Sequence, residues 1–235
     1  MDDPIVYPNQ PAASHPHDFF GSRDTNASST PASLVASSGT TCTFPSDRSG
    51  YWIPQLMLSG QPVVPTSVSV YYRGPDWGYD SSQVQPLPPG LKVIAGNAGA
   101  TSKQPYTVTY WQCGPGSRIP KSPTPYDCSR YPDTRLRAHL VFPSCWDGVS
   151  LDSSDHRRHM TYPVTKGAAA CPSSHPVLVA RITAVVTYPI VDGSGATLSS
   201  GSSYSFHADF MNGWDQPTLI RLVDDCINAG VYCRF

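Results

Sequence analysis

Two histidines separated by one residue, His15 and His17, begin the part of the chain that is richest in reactive side chains. In an extended segment such a pair places both imidazoles on one face, a spacing common among metal ligands carried by β-strands. Asp18 points the other way, where it can orient an imidazole or act as a separate carboxylate. The structural alternative is a buried histidine that hydrogen-bonds the backbone beside Phe19 and Phe20.

A second histidine and aspartate with the same spacing, His207 and Asp209, lie within residues 204–215. On a strand these two side chains share one face, while the apolar residues between and around them point into the core. A rigid strand would thus present an imidazole and a carboxylate side by side, which makes this segment the strongest functional candidate. Trp214 follows as either a core residue or a platform for stacking a sugar ring.

Residues 146–160 form a third polar segment, with three aspartates, two histidines and two arginines in an otherwise weakly charged chain. Charged groups at this density must be solvated, paired or used in function. We favour a functional role for Asp155, His156 and Arg157. The alternative is that Asp152 and Asp155 only stabilise turns through their side chains.

Two kinds of catalytic site are compatible with these segments. In a polysaccharide hydrolase, two carboxyl groups flank the bond to be cleaved, and we expect Asp209 with Asp18 or Asp155 in these roles. The imidazoles of His17, His207 and His156 would then tune or relay protons. All 17 acidic residues are aspartates, so aspartate must fill both roles.

In the metal-dependent alternative, one divalent ion is held by His15, His17 and His207, with Asp209 nearby. Three neutral imidazoles and a carboxylate suit zinc, copper or iron, and an open position would activate water or oxygen.

The competing class is a non-catalytic glycan-binding or wall-associated module, in which flat aromatic faces contact the sugar. Asp215 and Arg157 are the polar residues expected at such a contact. The aromatic platforms would be Trp52, Trp77, Trp146 and Trp214.

The elements that must position these residues are short strands between loops rich in proline, glycine and serine. Alternation of apolar and polar residues predicts strands over 67–73, 91–95, 106–112, 137–142, 177–188 and 203–210. One apolar stripe predicts a helix over 216–229, capped by Asp215 and ended by Gly230. We therefore predict a mainly β protein: one antiparallel β-sandwich or jelly-roll-like domain over 1–235, with long loops and a C-terminal helix.

Composition excludes several classes of protein. The net charge of −1 provides no basic surface for nucleic acid, and no apolar run approaches the length of a membrane span. The 7 cysteines form no CxxC pair, which favours disulfides in a secreted protein over a zinc knuckle. The expected local pairs are Cys113–Cys128, Cys145–Cys171 and Cys226–Cys233, although spacing alone leaves other connectivities open. We expect a secreted monomer.

The three polar segments described above, together with the opening Asp3-Pro4-Ile5-Val6-Tyr7-Pro8, form long motifs along the chain. These motifs resemble the family known as domain of unknown function nineteen ninety-six. Members are secreted, occur mainly in filamentous fungi and actinomycetes, and often stand beside carbohydrate-binding modules. The resemblance therefore implies an extracellular polysaccharide or glycan as the partner, but it assigns no catalytic residues. The motifs include Asp3-Pro4-Ile5-Val6-Tyr7-Pro8, Ser14-His15-x-His17-Asp18-Phe19-Phe20-Gly21, Phe142-Pro143-x-Cys145-Trp146-Asp147-Gly148, Leu151-Asp152-Ser153-x-Asp155-His156-Arg157-x-His159-Met160 and His207-Ala208-Asp209-Phe210-x-Asn212-Gly213-Trp214-Asp215.

Overall fold

Short antiparallel strands account for most of the regular structure. The computed structural model describes residues 1–75, 83–116, 118–132, 134–164 and 170–233. Trp77, one of the predicted aromatic platforms, lies outside these residues. The strands are β1 His17–Gly21, β2 Gly50–Pro54, β3 Leu56–Leu58, β4 Gln61–Val63, β5 Ser67–Arg73, β6 Lys92–Gly96, β7 Thr109–Cys113, β8 Leu136–Val141, β9 Cys145–Trp146, β10 Met160–Thr161, β11 Val177–Leu178, β12 Arg181–Thr187, β13 Thr197–Leu198 and β14 His207–Met211.

Two four-stranded antiparallel sheets form the body of the molecule. The first has the order β1-β2-β14-β6 and the second the order β5-β12-β8-β7. Their facing sides share one apolar core, in which Phe142 lies beside Phe210 with ring centroids 6.3 Å apart. Two three-stranded sheets, β10-β9-β11 and β13-β3-β4, extend this arrangement. The prediction of a mainly β, antiparallel fold is confirmed.

The first sheet is buried on both faces, and this determines the surroundings of the candidate site. Its inner face contributes Tyr51, Ile53 and Phe210 to the core between the sheets. Its outer face carries a second, smaller core, where Trp52 and neighbouring apolar side chains pack against Ile5 and other parts of the N-terminal region. A polar residue on the outer face is therefore covered by protein rather than left in solvent.

Some predicted strands match the observed ones, one predicted strand is divided in two, and some observed strands were not predicted. The prediction over 67–73 coincides with β5. The run 177–188 divides into β11 and β12 because the backbone NH of Val179 donates to Ser144 and that of Ala180 donates to Gln85. The strands β1 and β2 were not predicted. All five residues of β2 are buried, so no polar face alternates with an apolar one.

The C-terminal helix is present in the predicted place. The α-helix α2 covers Gln216–Leu222, and a π-helical segment continues it over Val223–Asn228. The side chain of Asp215 accepts a hydrogen bond from the NH of Thr218 and caps the start. Gly230 has φ +66, the left-handed conformation that ends many helices. A five-residue helix, α1, covers Pro31–Val35 near the N-terminus.

Three disulfides join the predicted partners, Cys113–Cys128, Cys145–Cys171 and Cys226–Cys233. Cys42 is the free cysteine, half-buried. Disulfides of this number persist in oxidising compartments. No helix within the described ranges is long and apolar enough to cross a bilayer.

Removing the Cys113–Cys128 bridge with a double alanine substitution is expected to destabilise the protein by about 3 kcal/mol. The bridge closes a loop with a sequence separation of 15 residues, and without it the unfolded chain gains conformational freedom. Urea denaturation measures the change, with Cys42→Ala as the control that leaves every bridge intact. A loss below about 1 kcal/mol would show that the loop is ordered without its disulfide.

Candidate functional site

Strand β14 presents His207 and Asp209 on the outer face of the first sheet. Asp209 pairs with Trp52 of β2 on one side and with Ile94 of β6 on the other, at the centre of the sheet. His207 pairs with Gly96 at the end of β6. Both side chains are buried, with 3% of His207 and 1% of Asp209 exposed. The strand thus holds an imidazole and a carboxylate on one face, as the sequence predicts.

The start of the first strand brings two more imidazoles to the same place. The ring centroids of His15 and His17 are 4.3 Å apart, and that of His207 lies 5.0 Å and 5.9 Å from them. The Nε2 atoms of His15 and His207 are separated by 3.2 Å. One nitrogen from each of the three rings lies within 4.8 Å of the others. Two segments that lie far apart in sequence therefore meet, since His15 and His207 are separated by 192 residues.

Backbone carbonyls select the tautomers of the two buried rings. His17 Nδ1 lies 3.0 Å from the carbonyl oxygen of Asp2, and His207 Nδ1 lies 2.8 Å from that of Ser205. A carbonyl can only accept, so each Nδ1 carries the proton and each Nε2 keeps its lone pair. His17 Nε2 is buried and has no hydrogen-bond partner among the described residues. A histidine that binds a metal ion through one ring nitrogen usually donates a hydrogen bond from the other nitrogen to an oxygen atom such as a backbone carbonyl.

All three imidazoles are held in the neutral form. Burial lowers the pKa of His17 to about 3, and the neighbouring charges of His15 and His207 act in the same direction. Burial also lowers the pKa of His207 to about 4 and lowers that of His15. Neutral imidazole is the form that binds a metal ion.

Behind the histidines lies a pair of buried carboxyl groups, Asp3 and Asp209. One oxygen from each lies within 4.8 Å of the other and of a ring nitrogen of His17. Asp3 accepts hydrogen bonds from the NH groups of Ile5 and Val6, whereas Asp209 Oδ2 is buried without a partner in the described structure. Burial, followed by the charge of Asp3, raises the pKa of Asp209 well above its usual range. Burial likewise raises the pKa of Asp3.

Asp3 was missed by sequence reasoning. Its position before Pro4 at the start of a long family motif was visible, but its contact with Asp209 depends on the chain end folding over the sheet.

The third polar segment lies against the neighbouring strand β6. His159 Nε2 is 2.7 Å from the carbonyl of Lys92, and Lys92 Nζ is 3.0 Å from Asp152 Oδ2. Asp152 also accepts a hydrogen bond from His156 Nδ1 at 2.8 Å. Arg157 donates to the carbonyl of Gly96, the residue that pairs with His207. This segment therefore borders the histidine cluster, and the charge of His156 acts on Asp3.

Asp155 has a structural role in that segment. Its Oδ1 accepts hydrogen bonds from Ser153, from the NH of Arg157 and from the NH of Arg158. These bonds lower the pKa of Asp155, so it remains ionised and is unsuited to act as a general acid. The aspartate closes a turn, which corrects its predicted catalytic role.

Asp18 is the second predicted carboxylate that the structure separates from the site. It follows His17 on β1 and therefore points to the opposite face of the sheet, where Gln55 Nε2 donates to it at 3.0 Å. It borders a groove of about 1630 Å³ that is lined by residues of β1, of β5 and of the C-terminal helix, and His17 also contributes to this lining. The pairing of Asp18 with Asp209 across one cleft is thus incompatible with the fold.

The predicted aromatic platforms are largely inaccessible. Trp52 is fully buried, and Trp214 is 6% exposed with its indole NH donating to the Tyr72 hydroxyl at 2.9 Å. Trp146 is half-buried and donates to the carbonyl of Ser150. Asp215 is occupied as the cap of α2. Trp52 and Trp214 are therefore core residues with little surface for a sugar, and the exposed Asp215 stabilises the start of α2.

His139 shows how a histidine outside the site behaves, and it gives a prediction of its own. It lies on β8 stacked on Tyr110, with centroids 4.4 Å apart, and burial lowers its pKa to about 4 from 6.5. As the pH is lowered below about 6.5, the unfolded chain binds a proton on His139 that the folded chain does not bind. The free energy of unfolding therefore decreases until the pH reaches the pKa of the folded state. On acidification, the free energy of unfolding of His139→Phe is expected to decrease by about 2 to 3 kcal/mol less than that of the parent.

The measurement is urea denaturation of both proteins between about pH 7 and pH 4. Parallel stability curves for the two proteins would contradict the prediction, because they would mean that the ring titrates alike in the folded and unfolded chains.

Comparison with known proteins identifies the family to which the sequence belongs. No curated protein and no solved structure matches the chain. Residues 3–214 match the family described as Domain of unknown function (DUF1996), and this range includes Asp3, His15, His17, His207 and Asp209. Because the match covers most of the sequence, the chain belongs to the DUF1996 family.

Proposed function

We propose that the protein is a secreted, metal-dependent enzyme that hydrolyses an extracellular polysaccharide. The observation that carries the proposal is the convergence of three neutral imidazoles whose tautomers leave Nε2 of His17 and His207 as acceptors. Because His207 Nε2 keeps its lone pair, His15 Nε2 is the donor where these two nitrogens lie 3.2 Å apart. In its other neutral tautomer, with the proton on Nδ1, His15 would also offer an Nε2 lone pair, and the three imidazoles could then hold one divalent ion.

The donor set favours a first-row ion such as zinc, copper or iron, of which zinc serves hydrolysis best. Three histidines leave a fourth position for water, and the bound ion would supply a water of lowered pKa. Asp209 is the residue placed to move the proton, because its Oδ2 has no other described partner. Burial raises the pKa of Asp209, and the charge of the bound ion would lower it again, so that the carboxylate could take a proton from the attacking water. It would then return the proton to the leaving oxygen, so that water is added across the cleaved bond.

The proposals of secretion and of a polysaccharide substrate are supported by features outside the histidine cluster. Three disulfides suit an oxidising environment. Asn26, in the sequence Asn26-Ala27-Ser28, is exposed and can accept a glycan. The family resemblance favours polysaccharide over other extracellular substrates, and the buried positions of Trp52 and Trp214 speak against a module that binds sugars only by aromatic stacking.

Metal content and turnover, measured on one preparation, test the proposal. Protein purified without chelator should hold about one ion per chain, because the described part of the chain contains one set of three converging imidazoles. Chelation should abolish release of reducing sugar from wall polysaccharides, and zinc should restore it. Absence of bound metal after zinc and copper have been offered would refute the metal site, and metal without turnover on any polysaccharide would refute the reaction.

A further inference from the structure

The loop from Asp152 to His159 is fixed on the strand next to the histidine cluster. His159 Nε2 contacts the carbonyl of Lys92 at one end of β6, and Arg157 Nη1 donates to the carbonyl of Gly96 at the other, at 2.7 Å. Asp152 adds an ion pair with Lys92 at 3.0 Å. With contacts at both ends of a five-residue strand, the loop has a defined position relative to β14.

Arg157 connects this loop to the backbone beside His207. Gly96, which it contacts, pairs with His207, and the two strands approach closely there. A Cβ atom on Gly96 would lie 2.9 Å from the Cα of His207. Burial is the main influence on the pKa of His207 and Asp209, and the positive charge of Arg157 makes a smaller contribution that acts to lower both, in agreement with this proximity.

The guanidinium group of Arg157 is available for a ligand. Its side chain is exposed, and among the described residues no carboxylate lies within 4.0 Å of it. Its neighbour Arg158 differs, because it contacts Asp155 at 3.8 Å and Ser154. Arginine carries five N–H donors in a planar fork that matches carboxylate and sulfate oxygens, and one hydrogen bond to Gly96 leaves most of them unused.

We propose that Arg157 binds an anionic group of the substrate, the carboxylate of a uronic acid or a sulfate ester, and so directs the enzyme to acidic polysaccharides. This inference rests on the proposed function, because Arg157 is placed beside the ion-binding histidines. The chain has 16 basic and 17 acidic residues, so no general positive surface would attract such a polymer. Selection of the anionic sugar would depend on this local contact.

Binding to the metal-loaded protein tests the proposal without relying on turnover. Isothermal titration would compare a galacturonate trimer, a sulfated galactose trimer and xylotriose, which carry a carboxylate, a sulfate and no charge. Either acidic trimer should bind more tightly than xylotriose. Arg157→Gln should weaken binding of the preferred acidic trimer about 10- to 100-fold and leave xylotriose unchanged.

Arg158→Gln is the matched control, because it removes an adjacent exposed arginine and should change affinity less than about 2-fold. Equal affinity for charged and neutral trimers, equal effects of the two substitutions, or no binding at all would overturn the proposal. Elemental analysis of the same samples separates this failure from that of the proposed function. Metal bound at full stoichiometry without a preference for acidic trimers refutes only the role of Arg157.

Discussion

Replacing His207 with alanine is expected to weaken metal binding about 1,000-fold, and His17→Ala should do the same. Structural sites with about four ligands bind zinc by roughly 10 to 16 kcal/mol, so one ligand is worth about 2.5 to 4 kcal/mol, and the upper end corresponds to the 1,000-fold change. Both rings present Nε2 from a tautomer fixed by a backbone carbonyl, and an alanine cannot replace that donor. Competition with a fluorescent zinc chelator measures the affinity of each variant.

Because His17 and His207 are buried, replacing either one with alanine also removes packing contacts in the core. A variant in the more exposed His15 tests metal binding with less effect on folding. His15→Ala should also lose metal while its far-ultraviolet circular dichroism stays that of the parent. His175→Ala is the control, because His175 is hydrogen-bonded to Ser174 and to the carbonyl of Arg158. Retention of tight binding in folded His15→Ala and His207→Ala would show that the cluster is a structural hydrogen-bonded group.

Asp209→Asn is expected to lower kcat about 1,000-fold while the metal stays bound. A positioned proton-transfer group contributes about 100- to 10,000-fold, and the amide has nearly the same shape but cannot carry the proton. Asn also removes a buried acid whose pKa is raised by burial and by Asp3, so we expect the variant to fold. Initial rates on the preferred polysaccharide and elemental analysis of the same sample measure the two effects.

Asp18→Asn provides the matched comparison. Asp18 is also an aspartate of the first sheet whose pKa is raised by burial, but it faces the groove on the opposite side. Its kcat should stay within about 2-fold of the parent, since it cannot reach the reacting atoms. If both substitutions lowered kcat equally, the rate would depend on the sheet as a whole and Asp209 would have no special role.

Local sequence patterns were sufficient where one physical rule acted over a few neighbouring residues. Alternation predicted β5, the capping aspartate Asp215 predicted the start of α2, and short separations predicted all three disulfides. The spacing of His207 and Asp209 likewise predicted that they share one face, since a strand alternates with a period of two. The strand β2 was not predicted because all five of its residues are buried, so that no polar face alternates with an apolar one.

The sequence by itself determined which residues are able to do chemistry here: the paired spacings His15 with His17 and His207 with Asp209. Only the tertiary structure decided which of them meet, because β1 and β14 are placed in one sheet by pairing with β2, a contact that no local pattern encodes. Packing of the N-terminal segment over the outer face of this sheet added Asp3 to the site. Burial, which exists only in the folded chain, then made the imidazoles neutral and left Asp209 without a described partner for Oδ2.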